Sequence, residues 1–194
     1  MDSSAEIERL LRQAGAILEG HFLLTSGRHS GLYVEKFRIL ERPAYTEVLC
    51  GLVSDHFRPL GVDLVAAPTT GGIIVGYEVA RQLGARSIFA EKGPQGRAFG
   101  RGFTLRPGER VLVVDDVLTT GGSLREVIAA VEAAGAMAAG IGILVDRSGG
   151  RTAFSSTGSP ALPLPFFACL TLDIPSYEPA ACPLCAQGLP PAAT

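Results

Sequence analysis

Apolar and polar residues fall along this chain in short blocks with two distinct periods. Val111 to Val114 is wholly apolar, as expected of a strand buried on both faces of a parallel sheet. Val62 to Ala66, Ser87 to Ala90 and Ala138 to Val145 read as further strands, each mostly apolar. Segments suited to helices lie between them. Pro43 suits the first turn of a helix running to about Phe57. Gly71 to Leu83 reads as a second helix, ended by Gly84, and Leu124 to Ala134 as a third. This strand–helix alternation through residues 43 to 146 predicts an α/β fold, a central parallel sheet flanked by helices on both faces.

The flanking segments break the pattern. Ser4 is placed to cap a first helix with Ile7, Leu10 and Leu11 on one face. His21 to Phe37 reads as two short strands around a polar turn at Ser26 to Gly31. Glu91 to Gly102 is rich in Gly and Arg without a period, and its length predicts a mobile functional loop. Beyond Arg147 the chain becomes Gly-, Ser- and Pro-rich. Leu164 to Leu172 supplies one more candidate strand, and the tail from Pro175 has no periodic pattern.

Composition narrows the possibilities. A chain of 194 residues with 47% hydrophobic content has enough material for a core and fits a single domain. A net charge of −2 offers no broad basic surface for nucleic acid. No apolar run reaches the length of a membrane span, and the first residues lack a secretory pattern. Cysteines at 50, 169, 182 and 185 form no disulfide framework, so a cytoplasmic location is the expectation. Cys182-Pro-Leu-Cys185 has zinc-ligand spacing but is half a site. No His follows it, and a third ligand would have to come from Cys169 or from a second chain. Two reduced tail thiols are the plainer reading.

The chemistry concentrates after the most apolar strand. Asp115 and Asp116 close it, Val117 and Leu118 follow, and the turn Thr119, Thr120, Gly121, Gly122 and Ser123 leads into a helix. Ligands of open α/β sheets bind beyond the carboxyl ends of the strands. Backbone N–H groups and the dipole at a helix start hold a phosphate, and Gly121 and Gly122 allow close approach. Thr119, Thr120 and Ser123 can add hydroxyl donors. The acids would repel a phosphate unless they face ribose hydroxyls or a magnesium ion. The arrangement therefore suits a phosphorylated ribose. It is neither a Walker loop, which needs Gly-Lys-Ser/Thr, nor a G-x-G-x-x-G fingerprint. A second junction, Pro68-Thr69-Thr70-Gly71-Gly72, follows another strand and offers a second anion cradle. A substrate with phosphates at both ends needs two. Lys92, Arg97 and Arg101 on the Gly/Arg loop could close over them, excluding water and stabilising a leaving diphosphate.

Val111 to Ser123 resembles the binding motif for 5-phosphoribosyl 1-diphosphate (PRPP) of type I phosphoribosyltransferases. Phe22-Leu-Leu-Thr-Ser-Gly-Arg-His-Ser30 with Leu32-Tyr-Val34 resembles the hood of the orotate phosphoribosyltransferases. Ala67 to Gly72, Gly76 to Ala80, Phe89 to Lys92, Arg101 to Phe103 and Val145-Asp-Arg147 are also similar to that family. So are Tyr177-Glu-Pro and Cys182 to Cys185, so the likeness spans nearly the whole chain.

The resemblance implies a hood of about residues 1–40 plus part of 148–194. It also implies a core of about 41–147 and a lid of about 91–103. It implies transfer of ribose 5-phosphate from PRPP to orotate, with Mg²⁺ as cofactor and release of diphosphate. Asp115 and Asp116 would hold the ribose hydroxyls, Thr119, Thr120, Gly121, Gly122 and Ser123 the 5-phosphate, and Pro68 to Gly72 the diphosphate. Thr119 and Arg147 would meet orotate, the guanidinium pairing with its carboxylate. Lys92 and Arg101 would belong to a lid reaching the neighbouring subunit of a homodimer.

Two departures stand out. Many relatives carry a substrate-contacting lysine where this chain has Thr25, which leaves that task unfilled or moves it to Arg28; Thr25 and Arg28 are both placed at the orotate site. The lid has Gly96-Arg97 and Gly100-Arg101 where relatives have a central lysine and paired arginines. Two alternatives remain: a transferase for a purine base, which needs no arginine at 147, and a PRPP-sensing regulator, which needs a basic face.

Overall fold

The computed structural model describes residues 4–24, 26–94, 96–158 and 160–193. The chain begins with helix α1 (Ser4–Gln13), strands β1 (Ile17–Leu23) and β2 (His29–Val34), and a single turn α2 (Phe37–Leu40). Helix α3 (Pro43–Phe57), β3 (Leu64–Pro68), α4 (Gly71–Leu83), β4 (Arg86–Gly93) and β5 (Gly96–Phe99) follow. Then come β6 (Arg110–Leu118), α5 (Gly122–Ala133), β7 (Met137–Asp146) and β8 (Phe166–Thr171). The tail holds β9 (Ser176–Tyr177), α6 (Pro183–Ala186) and β10 (Ala192–Ala193).

The larger sheet has the order β5-β4-β3-β6-β7-β8. Its pairs are parallel except β4–β5 at the edge. Period-two burial explains the two-sided cover. Leu112 and Val114 share one core with Leu49, Val53 and Phe57 of α3 and Val75 and Val79 of α4. Val111 and Val113 share the other with Leu124, Val127, Ile128 and Val131 of α5. All of these residues are buried. Each contributes about 1.5–3 kcal/mol of apolar burial, an upper range against a compact unfolded chain. The predicted helices on both faces are present.

The smaller sheet, β10-β1-β2-β9, is the hood. A hairpin of β1 and β2 forms its centre, and two-residue strands from the tail pair on either side.

Three expectations need correction. The turn between β1 and β2 is shorter than predicted, because His29, Ser30 and Gly31 belong to β2. Pairing of His29 and Ser30 with Tyr177 and Ser176, a partner remote in sequence, extends that strand. The Gly/Arg segment contains a hairpin, with Lys92 opposite Arg97 and Gly93 opposite Gly96. Its alternation is invisible in the sequence because neither face of β5 is deeply buried. Finally, β6 runs on to Leu118, so Asp115 and Asp116 lie within the strand, held by pairing to β7 as far as Asp146.

Candidate active site

Strands β3 and β6 are neighbours, so the loops after them emerge side by side at the carboxyl edge of the sheet. Thr119, Thr120, Gly121, Gly122 and Ser123, with Asp115, Val117, Leu118 and Leu124, line a cavity of about 60 Å³, room for a small anion. Gly121 caps α5 with φ 77°, in the left-handed region that favours glycine. Arg125 Nη1 donates to the Thr120 carbonyl at 2.8 Å, which ties the loop to the first turn of that helix. The second loop enters α4 through Thr69 and Thr70, whose peptide bond is cis.

The acid pair sits between these loops, and its two members differ. Asp116 is 3% exposed. Lys36 Nζ donates to its Oδ1 at 3.1 Å. The same ammonium lies 2.9 Å from Oδ2, an electrostatic contact without hydrogen-bond alignment. A Cβ at Gly71 would come within 1.9 Å of Asp116 Oδ2, and one at Gly72 within 2.9 Å of Asp115 Oδ1. Glycine at both places therefore lets the start of α4 lie against the carboxylates, where the helix dipole favours negative charge. Among the described residues, no cation lies this close to Asp115. Burial, and then the charge of Asp116, push its carboxyl up to about 7; Lys36 and Arg97 oppose that rise.

Of the three cations predicted for the lid, only Arg97 reaches the loops after β3 and β6. Its Nη1 donates to Thr69 Oγ1 at 3.1 Å and to the Ala90 carbonyl at 3.2 Å. Its Nη2 donates to Ser123 Oγ at 3.2 Å. One guanidinium thus bridges the loops after β3 and β6. Arg101 pairs with Glu91 at 2.9 Å, exposed at the hairpin base, and Lys92 is exposed.

A larger cavity, about 870 Å³, opens beside the small one, between the hood and the sheet. Arg28, Tyr33, Lys36, Thr119, Thr120 and Arg147 are among its lining residues, so the threonines border both cavities. The backbone of Arg147 is tied to β6 by a hydrogen bond to the Leu118 carbonyl at 2.8 Å. Its guanidinium carbon lies 6.0 Å from the centroid of the Tyr33 ring. Its Nε is buried without a hydrogen-bond partner among the described residues, and burial pulls its pKa below the ordinary value. The neighbouring acid does not neutralise it, because Asp146 accepts from the Ser148 and Gly150 amides at 2.7 and 3.1 Å. Arg28 differs: it donates to Ser176 Oγ at 2.9 Å and the Ser176 carbonyl at 2.6 Å, and pairs with Glu178. Its charge fastens the tail, although it lines the same cavity. Thr25 lies outside the described residues.

The region 38–156 matches the family model described as phosphoribosyl transferase domain. An orotate phosphoribosyltransferase of Pelotomaculum thermopropionicum is 48% identical over 185 residues, 95% of this chain and 93% of that protein. The chain belongs to the orotate phosphoribosyltransferase family. The orotate phosphoribosyltransferase of Thermus thermophilus is 45% identical over 95% of this chain and 97% of its own length. A solved orotate phosphoribosyltransferase from Aeropyrum pernix superposes with a TM-score of 0.67 at 26% identity, covering 86% of this chain and 93% of that one. An adenine phosphoribosyltransferase of Thermoanaerobacter pseudethanolicus has the same fold, with a TM-score of 0.63 at 16% identity over 88% of this chain and 100% of that one. The fold alone therefore does not select the base.

Lys36 is the site residue that sequence reasoning missed. The available signal was its rarity: the chain has two lysines, Lys36 and Lys92, and uses arginine elsewhere.

Proposed function

We propose that this chain transfers the ribose 5-phosphate group of PRPP to N1 of orotate, forming orotidine 5′-phosphate and diphosphate in pyrimidine nucleotide synthesis. The carrying observation is Arg147, a half-buried guanidinium with no carboxylate partner among the described residues, lining a cavity large enough for a base beside the small one. A planar substrate carboxylate supplies what that guanidinium lacks. A neutral purine does not.

In this reading the 119–123 loop holds the 5-phosphate, with the Thr119, Thr120 and Ser123 hydroxyls beside its backbone amides, and residues 68–72 hold the diphosphate. Asp115 accepts from ribose hydroxyls, which favours its ionised form. Asp116 is the positioning carboxylate, fixed by Lys36 against α4. The N1–C1 bond forms as the C1–O bond to diphosphate breaks; the electron pair leaves with the diphosphate, and the N1 proton of orotate passes to solvent. Arg97 stabilises that charge, and Thr119 borders the base. No protein nucleophile takes part, so rate comes from orientation and preorganised charge.

Magnesium fits as a companion of the substrate. Among the described residues, no group of three acidic ligands stands at this site. Asp115 is the carboxylate available to it, with PRPP oxygens and water completing the set. When bound, the ion would neutralise charge on the diphosphate.

A homodimer belongs to the same proposal. Phe37 on α2, Val48 on α3 and Ile74 and Tyr77 on α4 are exposed apolar residues on elements that pack together. No helix among the described residues is long and apolar enough to cross a membrane, and the four cysteines are free, consistent with a cytoplasmic setting.

The test is loss of orotate absorbance with PRPP and Mg²⁺, run beside hypoxanthine, guanine and uracil. Turnover of orotate alone is expected. Turnover of a purine with none of orotate would overturn the assignment of the large cavity, and no turnover of any base would favour a PRPP-binding regulator.

A further inference from the structure

The hood carries a second constellation, away from the anion loops. His21 and His29 come from the two strands of the β1–β2 hairpin, and Cys182 and Cys185 from the start of α6. Their four ligand atoms all lie within 4.8 Å of one another. His21 Nε2 is 2.8 Å from His29 Nδ1, 3.5 Å from Cys182 Sγ and 3.9 Å from Cys185 Sγ. Cys185 Sγ is 3.3 Å from His29 Nδ1. Three of the four residues are buried, and Cys185 is exposed, leaving a path for entry.

We infer that these four residues bind one zinc ion in a structural site. Metal–sulfur bonds of about 2.3 Å and metal–nitrogen bonds of about 2.0–2.1 Å at tetrahedral angles require ligand separations of about 3.3–3.8 Å. The three nitrogen–sulfur distances fall at or near that range, and the nitrogen pair needs to open by about half an ångström. The tautomer of His21 is already suited, whereas His29 Nδ1, which donates to His21 Nε2, must shift its proton to its own Nε2 when the metal binds. His21 Nδ1 lies 2.6 Å from the Leu189 carbonyl, so it carries the proton and donates there, leaving the Nε2 lone pair directed at the cluster. A backbone carbonyl in that position is the usual outer support of a metal-bound imidazole. Two thiolates and two imidazoles form a soft, closed donor set that selects zinc over magnesium. On binding, two S–H bonds break, two Zn–S bonds form, two protons go to solvent, and the imidazoles donate lone pairs. The two thiolates neutralise the dication.

The fold also needs such a staple. The tail meets the hairpin through two strands of two residues each and one four-residue helix. Elements this short do not hold themselves in place. The clamped pieces frame the large cavity: Leu24 and Arg28 lie in the turn between the two histidine strands, and Ser176 begins the tail strand. Sequence reasoning saw the Cys pair as half a site because the histidines stand some 160 residues earlier. Cys169, the third ligand considered there, faces the Leu49 carbonyl at 3.3 Å in the core.

The full chain, purified under reducing conditions, should contain about one zinc per chain by elemental analysis. Cobalt(II) exchanged into it should give the visible bands of a tetrahedral site and a thiolate charge-transfer band. Chelation should lower the melting temperature by about 5 °C or more. Cys182→Ser, Cys185→Ser and His29→Ala should lose the metal, whereas Cys50→Ala should keep it. Metal content is read without substrate, so the outcome is independent of the transferase reading. The inference is overturned if the reduced, folded wild-type chain takes up less than about a tenth of an equivalent. It is equally overturned if cobalt gives an octahedral spectrum, or if a folded Cys182→Ser/Cys185→Ser chain retains the metal. Where the variants do not fold, the wild-type cobalt spectrum decides.

Discussion

Lys36 and Asp116 stand 80 positions apart in the chain, and the lysine ammonium donates to the aspartate carboxylate at 3.1 Å. The carboxylate is buried and the ammonium partly exposed, so removing either has unequal consequences. Lys36→Met leaves a buried charge unpaired; breaking a fully buried pair costs about 3–5 kcal/mol, and partial exposure lowers this to about 2–3 kcal/mol. Asp116→Asn leaves the lysine able to reach water and should cost less. Urea unfolding of both variants checks the order, and a larger loss in Asp116→Asn would refute it.

Gly71 faces the same carboxylate. Ala at this position would place Cβ within 1.9 Å of Asp116 Oδ2 and 3.0 Å of Leu40 Cδ1, so the carboxylate would have to leave Lys36 or the start of α4 would have to move. Gly71→Ala should destabilise by about 2–3 kcal/mol or more and abolish PRPP binding. A variant as stable as the parent would show that the helix start has room to shift.

Asp115 makes the free protein's stability depend on pH. Its folded-state carboxyl is raised to about 7 from an ordinary 3.8, by burial and by Asp116. The folded state therefore holds a proton that the unfolded chain releases. This contribution favours folding at low pH and is lost as pH rises from about 4 through 7. Melting temperatures of the wild type and Asp115→Asn should converge at the acid end and separate toward neutrality, with the wild type falling relative to the variant. A constant difference across that window would mean that Asp115 does not titrate there. PRPP binding near neutrality should release protons, visible by calorimetry in buffers of different ionisation enthalpy.

Arg97 and Arg101 should behave differently despite sharing one loop. Arg97 bridges Thr69 and Ser123, whereas Arg101 is paired with Glu91 at the surface. Arg97→Ala should reduce kcat by about 10²–10³-fold, the usual effect of removing one preorganised donor to developing charge. Arg101→Ala should stay within a few-fold of the parent in the same assay. Equal losses would show that Arg101 leaves Glu91 during turnover.

Arg147 predicts opposite effects on activity and stability. Without its guanidinium, orotate should lose the partner of its carboxylate, and kcat/KM for orotate should fall by about 10²-fold or more, with PRPP affinity retained. The free protein should gain a little, because a half-buried cation with no ion-pair partner among the described residues is replaced by an apolar chain. Arg147→Met should raise stability by about 1 kcal/mol. A stability loss together with unchanged orotate kinetics would assign this arginine to the scaffold.

What the chain determines by itself is local. Val111 to Val114, the Thr119–Ser123 turn and the helices at Gly71 and Pro43 are legible because hydrophobic period, turn residues and capping act over a few positions. The family is legible for the same reason, since the stretches that carry the resemblance are contiguous and lie at strand ends.

Relations between distant segments were decided by tertiary structure. Alternation does not report that β5 folds back on β4, because that hairpin has no deeply buried face to imprint a pattern. Spacing does not report that Lys36 answers Asp116, that Arg28 is spent on the tail while Arg147 is left open, or that two hood histidines meet Cys182 and Cys185. Those pairings depend on desolvation and Coulomb interactions over a few ångströms, which exist only once packing has brought the segments together.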